Sequence, residues 1–414
     1  VVKEKAVVRT PSWYVRKRLM KNKPAMFGFV FIIVAHIIAL LGYLIMPDDT
    51  PFANDGSALI KKKPIGFEAK ILKIRISREI EEVSFIKKMY LGQESKYTII
   101  PVDTVYINGL SIYYQPYGKK RTDSLDLVSA VKPMYVGEHF NFRSDNKLNY
   151  RREGDKIIYL DLNEKTQEIT LADLEKEFWE NNIETRKYLL GTDKAGRDIL
   201  SRLLFGTRIS LSIGFISVLI SMVVGVTLGA LAGFFGGVTD NVIMWLMTVV
   251  WSIPAIMLII AISLVLESKG VFVAFIAVGL TMWVEVARVV RGQIMSIKEK
   301  LFVEAARALG IGNLRIIFVH ILPNIMGPLI VIATANFASA ILIEAGLSFL
   351  GLGVQPPMTS WGMMVNEGYY SNWENDGGYL VILPSIAISL MVLAFNLFGN
   401  GLRDAYDPKS ALKW

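Results

Sequence analysis

The chain has 414 residues, 52% of them hydrophobic, a mean hydropathy of +0.41 and a net charge of +8. It is too apolar for an ordinary soluble protein, and the excess is gathered in discrete runs, which points to membrane helices with a polar insert. The absence of cysteine excludes disulfides and thiolate metal sites. In a nucleic-acid binder such a charge would need a basic groove with aromatics; here much of it sits beside the apolar runs, where it sets topology.

Residues 1–24 carry Lys3, Lys5, Arg9, Arg16, Lys17, Arg18, Lys21 and Lys23 against one acid, Glu4. They predict a cytoplasmic tail. Residues 25–46 then form an apolar run whose one ionisable side chain is His36. The run is long enough to cross a bilayer core of about 30 Å. It is long for a signal peptide, and no A-x-A cleavage site follows it. Two readings stand for His36: a packed, hydrogen-bonding residue, or a proton relay.

Residues 47–190 change character. Acids and bases nearly balance, as in a globular domain. Leu72, Ile74 and Ile76 alternate with Lys73, Arg75 and Ser77, which is strand periodicity. Tyr97–Ile107 and Lys156–Leu162 read as further strands. Thr170 and Asp173 cap a helix carrying Leu171, Leu174 and Phe178. The segment predicts an α+β domain on the outside. Tyr106, Tyr113, Tyr114 and Tyr117 are either a peptide-binding surface or ordinary sheet core and rim. His139 has no neighbouring ligand pattern.

Residues 191–208 lead into the next apolar run. Asp198 and Arg202 stand four apart, with Leu200, Leu203 and Leu204 on the other side, which predicts a surface elbow helix. Five further spans are expected at about 209–234, 241–266, 270–289, 325–349 and 379–401, each of membrane-crossing length. Gly225, Gly229 and Gly233 form a small-residue stripe for close helix packing. Pro254 predicts a kink. The second, third and sixth spans have no Asp, Glu, Lys, Arg or His in their apolar cores; Glu344, near the outer end of the fifth, is a pathway residue or a solvated or hydrogen-bonded outer-end residue. Trp361 and Trp373 follow in a segment with Pro356 and Pro357.

The polar stretch between the fourth and fifth spans reads EAARALGIGNLRIIFVHILPN, from Glu304 to Asn324. Residues 298–309 predict a short helix, Gly310 its left-handed end, Asn313 the cap of a second helix and Pro323 its close. Ala305, Ala306 and Gly310 present a surface nearly without side chains, ringed by Glu304, Arg307 and Arg315. Such a face suits close docking of a partner protein. Arg288, Arg291, Lys298, Lys300, Arg307 and Arg315 cluster in this loop, which puts it in the cytoplasm. That orientation agrees with the basic N-terminal tail.

EAARALG followed by ILP resembles the EAA motif of ABC-importer membrane subunits. GTDKAGRDILSRLLFGTRISLSIG at 191–214, EAGLSFLGLGVQPPMTSWGMM at 344–364 and GNGLRDAYDPKS at 399–410 narrow the resemblance to permeases of the dipeptide/oligopeptide type. None of these motifs falls in residues 47–190. The resemblance implies an all-α polytopic fold of six transmembrane helices, type I ABC importer-like, with the α+β insert between helices 1 and 2. The expected division is a cytoplasmic tail (1–24), helix 1 (25–46), an extracytoplasmic insert (47–190), a permease core with helices 2–6 (191–401) and a cytoplasmic tail (402–414). The coupling loop spans 290–324. The resemblance assigns Glu304, Ala305, Ala306, Arg307, Gly310 and Pro323 to ATPase coupling. It makes Glu344, Trp361, Asp193 and Arg197 candidates for the pathway or its outer mouth.

The chain itself has no G-x-x-x-x-G-K-[ST] phosphate loop, no HExxH and no GxSxG. It is therefore expected to be a non-catalytic subunit without cofactor or metal, with ATP and Mg on partner subunits. The resemblance implies a second homologous permease, two cytoplasmic ATPases, an extracytoplasmic binding protein and membrane lipid as partners, in a bacterial inner membrane. ATP would close the ATPases, draw the coupling helices together and open the pathway outward by alternating access. Peptides are the expected cargo, with metal chelates or antimicrobial peptides as alternatives; the rival classes are an ATP-independent channel or carrier and a membrane-anchored receptor whose outer domain is the working part, against which the five extra spans and the coupling loop speak.

Overall fold

The computed structural model describes residues 11–137, 149–267, 270–370 and 377–407. His139 and Trp373 lie outside the described residues. The chain opens with α1 (Pro11–Lys21) and α2 (Lys23–Leu41), which runs on through a tight turn at Gly42–Leu44. Together Lys23–Leu44 make a stretch of 22 residues, apolar apart from Lys23 and His36. At 1.5 Å per residue that is about 33 Å, a bilayer core's thickness. The His36 Nδ1 lies 2.8 Å from the Ile32 carbonyl oxygen one turn earlier, so the imidazole is bonded within its own helix.

The next segment is built of strands β1 (Phe67–Arg75), β2 (Tyr97–Asn108), β3 (Ser111–Pro116), β4 (Asp123–Asp126), β5 (Tyr150–Glu153), β6 (Lys156–Leu160), β7 (Thr166–Thr170) and β8 (Ile183–Tyr188). Helices α3 (Phe85–Leu91), α4 (Leu127–Val131) and α5 (Leu171–Glu177) lie among them. One antiparallel sheet has the order β4-β3-β2-β1-β8 and a second the order β5-β6-β7. Adjacent residues of β1, Ile71 and Leu72, are both fully buried because each face of the strand is covered. Ile71 packs with Ile60 and Tyr188, and Leu72 with Val128, Leu174 and Phe178. Thr170 accepts the Asp173 amide at 3.1 Å, the cap expected for α5.

The four tyrosines do not make one surface. Tyr106 and Tyr113, opposite each other in the ladder, stack at 5.3 Å. Tyr114, on the other side of the pleat, is core. Tyr117 packs edge-on against Phe67.

Beyond the strands come α6 (Ile199–Phe235), α7 (Gly237–Ser252), α8 (Ala255–Val265), α9 (Val271–Ile297), α10 (Leu301–Ala308), α11 (Asn313–Arg315), α12 (Met326–Phe349), α13 (Trp361–Tyr369) and α14 (Tyr379–Tyr406). Among the described residues, five helical stretches are long and apolar enough to cross a membrane, or six if the bent pair α7–α8 is one span. The expected elbow helix is not separate, because α6 runs unbroken for 37 residues from Ile199. The expected kink at Pro254 is a break, with α7 and α8 bent by 95°. Pro254 lacks an amide hydrogen and pushes Ile253 to extended geometry, φ −92° and ψ 130°.

The chain divides into two compact units. One comprises residues 1–39, 206–366 and 381–414, and the other 40–205 and 367–380. In the first, Gly225, Gly229 and Gly233 of α6 face α9. A Cβ on Gly229 would stand 2.9 Å from the Ala287 Cα, and one on Gly233 2.8 Å from the Arg291 carbonyl oxygen. Glycine is what lets these two backbones approach.

Candidate functional site

The polar loop begins where α9 ends. The Lys298 ammonium donates to the Gly233 carbonyl at 3.0 Å. Helix α10 is shorter than expected, starting at Leu301. Gly310 takes φ +73°, and the amides of Gly310 and Ile311 donate back to Arg307 and Ala306 at 2.9 and 3.1 Å, closing the helix end. Val303 and Ala306, three apart, turn inward against Ile294, Ile316, Ile317, Ile321 and Ile325. Ala306 is therefore a core residue and not part of the exposed small-residue face expected from the sequence. Glu304, Ala305, Arg307 and Gly310 are exposed, and so are Leu301, Leu309 and Leu314. The Arg307 guanidinium lies 5.1 Å over the Phe234 ring.

Two local expectations fail here. Gly312, not Asn313, precedes the next helical turn. Pro323 does not close a helix: the backbone passes from a widened turn at Ile316–Ile321 through a tight one at Leu322–Ile325 straight into α12. A proline in the first turn loses no helical bond, because that amide has no partner there.

Glu344 is fully buried on α12. Its carboxylate accepts from the hydroxyls of Ser348 at 2.7 Å, Ser360 at 2.6 Å and Ser210 at 3.4 Å. The carboxylate is thus held by three serines away from the surface of the chain. Trp361, also buried, joins this cluster through its amide, which donates to Ser210 Oγ at 3.3 Å. Serine hydroxyls offset part of the cost of the buried carboxyl. Ser348 was legible one helical turn after Glu344, whereas Ser210 and Ser360 had no sequence signal.

Asp193 and Arg197 do meet, in the unit that contains residues 40–205 and 367–380. Asp193 accepts from Arg197 Nε at 2.7 Å and Arg202 Nη1 at 2.5 Å, and from the amides of Ala195 and Arg197. Glu367 accepts from Arg202 Nη1 at 2.6 Å and Arg197 Nη2 at 3.2 Å. Asn54 accepts another Arg197 proton at 3.1 Å. The result is a buried network of two arginines and two carboxylates. Burial alone would raise the Asp193 carboxyl, but Arg202 and Arg197 outweigh it and hold the group below its ordinary range. Gly196, at φ +77°, lets this loop reach the Ser57 backbone. The Asp198 carboxylate accepts from the Ser201 amide and hydroxyl. Glu367 was missed because nothing in its local sequence links it to a loop so far back in the chain.

The model for binding-protein-dependent transport system inner membrane components matches residues 225–411, and that for the N-terminal TM domain of oligopeptide transport permease C matches residues 10–64. The glutathione transport system permease protein GsiD of Pectobacterium atrosepticum is 44% identical over 223 residues, 53% of this chain and 72% of that protein. The di/tripeptide transport system permease protein DppC of Pseudomonas aeruginosa is 45% identical over 223 residues, 54% of this chain and 73% of that one. A solved inward-facing structure of the MetNI methionine ABC transporter overlays at 20% identity with a TM-score of 0.40, covering 48% of this chain and 95% of that one. Residues 65–224 lie outside both family models.

Proposed function

The chain belongs to the inner-membrane permease family of binding-protein-dependent ABC transport systems, and we propose that it forms half of the pathway of a peptide importer. The names of its relatives, glutathione and di/tripeptide permeases, support a short-peptide cargo. A multi-pass inner-membrane protein of this family works with an ATPase and a binding protein. The further parts of the reading are a second homologous permease, two cytoplasmic ATPase subunits and ATP with Mg held on those subunits. This chain supplies no catalytic group and no cofactor site.

The reading takes α7–α8 as one span and so counts six. Support comes from the packing of the chain's two ends. Phe29 stacks on Phe398 at 5.1 Å, and Arg18 donates to the Asp407 carbonyl at 3.2 Å. Contact between the start of the first span and the end of the last favours one side for both, and so an even number of crossings. The basic cluster from Arg288 to Arg315 favours the cytoplasm for that side. Residues 47–190 are then an extracytoplasmic α+β insert.

One observation carries the coupling role. Helix α10 is pinned by buried Val303 and Ala306 while Glu304, Ala305, Arg307 and Leu309 stay exposed at the span ends. A rigid, short helix of that kind transmits a push from a docked ATPase to α9 and α12. Glu304→Lys and Leu309→Asp, in chain reconstituted with its ATPases, should cut ATP-driven uptake roughly tenfold or more, as loss of an interface anchor does. Membrane insertion should be unchanged. Wild-type ATPase association and uptake in either variant would remove the assignment.

A further inference from the structure

Helix α3, FIKKMYL, has no buried residue. Phe85, Ile86, Tyr90 and Leu91 are all exposed, Phe85 by 70%. On a helix of 3.6 residues per turn, Phe85, Met89, Ile86 and Tyr90 fall within an arc of about 140°. Lys87 and Lys88 lie outside that arc. An exposed apolar face of this kind marks an interaction site.

Its position says what covers it. The helix packs against Gly42–Leu44, the turn that ends the first membrane-length stretch. Three ties hold it there. The Lys88 ammonium pairs with Asp49 at 2.6 Å, the Gln93 amide donates to the Asp49 carbonyl at 2.9 Å, and Gly92, at φ +79°, closes the helix against the Asp49–Pro51 backbone. Asp49 is five residues past the span's last residue, Leu44. Exposed apolar side chains continue from the span itself at Leu41 and Ile45.

We infer that α3 is an interfacial anchor, lying in the headgroup region of the lipid bilayer with Phe85, Ile86 and Tyr90 turned into the acyl boundary. The attachment is apolar and not ionic. Lys88 is paired with Asp49, and Lys87 lies 3.6 Å from Glu81, so neither lysine is left to attract anionic lipid. Tyrosine at the rim suits the boundary between water and hydrocarbon. The anchor holds the base of the insert against the membrane.

The chain has no cysteine, so single-cysteine variants report without background. Phe85→Cys, Ile86→Cys, Lys87→Cys and Asp155→Cys would be spin-labelled in the full chain, in nanodiscs of zwitterionic lipid. Labels at 85 and 86 should be severalfold more accessible to oxygen than to a water-soluble nickel chelate, and labels at 87 and 155 the reverse. Adding anionic lipid or salt should leave the pattern unchanged. In Phe85→Cys, the further change Ile86→Asp should expose the label to the chelate. Equal chelate access at 85, 86 and 155 overturns the anchor. So does shielding that appears only when an extracytoplasmic binding protein is added, which would make the face a protein-docking site.

Discussion

Asp48 accepts the Thr50 amide and hydroxyl at 2.9 and 2.6 Å and the Asp55 amide at 3.0 Å. Burial nevertheless dominates and pushes its carboxyl up to about 6. Asp198 is raised in the same direction, by burial first, against its bonds to Ser201. A carboxyl whose folded value is raised binds its proton more tightly in the folded state. The stability it contributes is fully present below the unfolded value of 3.8 and is lost as pH rises through about 6. The unit containing residues 40–205 should therefore lose stability between pH 4 and 7, by an amount of the order of 3 kcal/mol for Asp48. Asp48→Asn should flatten the slope, leaving the part due to Asp198. Hydrogen exchange at the Thr50 and Asp55 amides across that range measures it. A slope unchanged in Asp48→Asn would assign the effect elsewhere. At this scale the sequence was only partly legible. Helical spacing alone could have linked Ser348 to Glu344, but the partners Glu367 and Ser360 come from distant positions.

Single elements were read better where one periodicity dominates. The apolar runs, the alternation in β1 and the Thr170 cap are all local signals, and each corresponds to an observed element. Errors arose where tertiary pairing altered the local pattern. Arg202 looked like the polar face of a surface helix, yet its charge is neutralised by Asp193 and Glu367 and α6 runs straight past it. Ala306 looked like half of an exposed small pair, yet its spacing from Val303 turns it inward. The glycine stripe of α6 tests the element scale. Gly229→Leu should force α6 from α9 and cost about 1–3 kcal/mol, the usual penalty of overpacking. Gly346→Ala in α12, where nothing lies within 4 Å, should be neutral or slightly stabilising. Unfolding of both variants in mixed micelles by added sodium dodecyl sulfate compares them. Equal midpoints would mean that the close approach of α6 and α9 is not needed.

At the scale of the whole chain, the insert behaves as an addition to a permease. The oligopeptide-permease model ends at residue 64, and β1 starts at Phe67. The insert leaves and returns at one place: Phe67 pairs with Tyr188, and the Gly66 amide donates to the Tyr188 carbonyl at 3.1 Å. Below that point the chain is knitted together without it. The Lys63 amide donates to Thr192 Oγ1 at 2.9 Å, and Arg197 reaches Asn54. Within the insert, the cores around Leu72 and Ile71 draw on residues 60–188, so its strands support one another. Excising 67–187 and joining Gly66 to Tyr188 through two glycines should thus close a gap of neighbouring strands with little loop cost. The shortened chain should insert in the membrane and couple to ATPases at the basal wild-type rate. Stimulation by the binding protein should fall, because the insert is proposed to stand on the side where that protein delivers cargo. Loss of basal coupling despite normal insertion would make residues 67–187 part of the transport core. Full stimulation would give the insert another task at the same surface, and the excised chain, compared with Ile86→Asp in the intact one, would then separate membrane attachment from delivery.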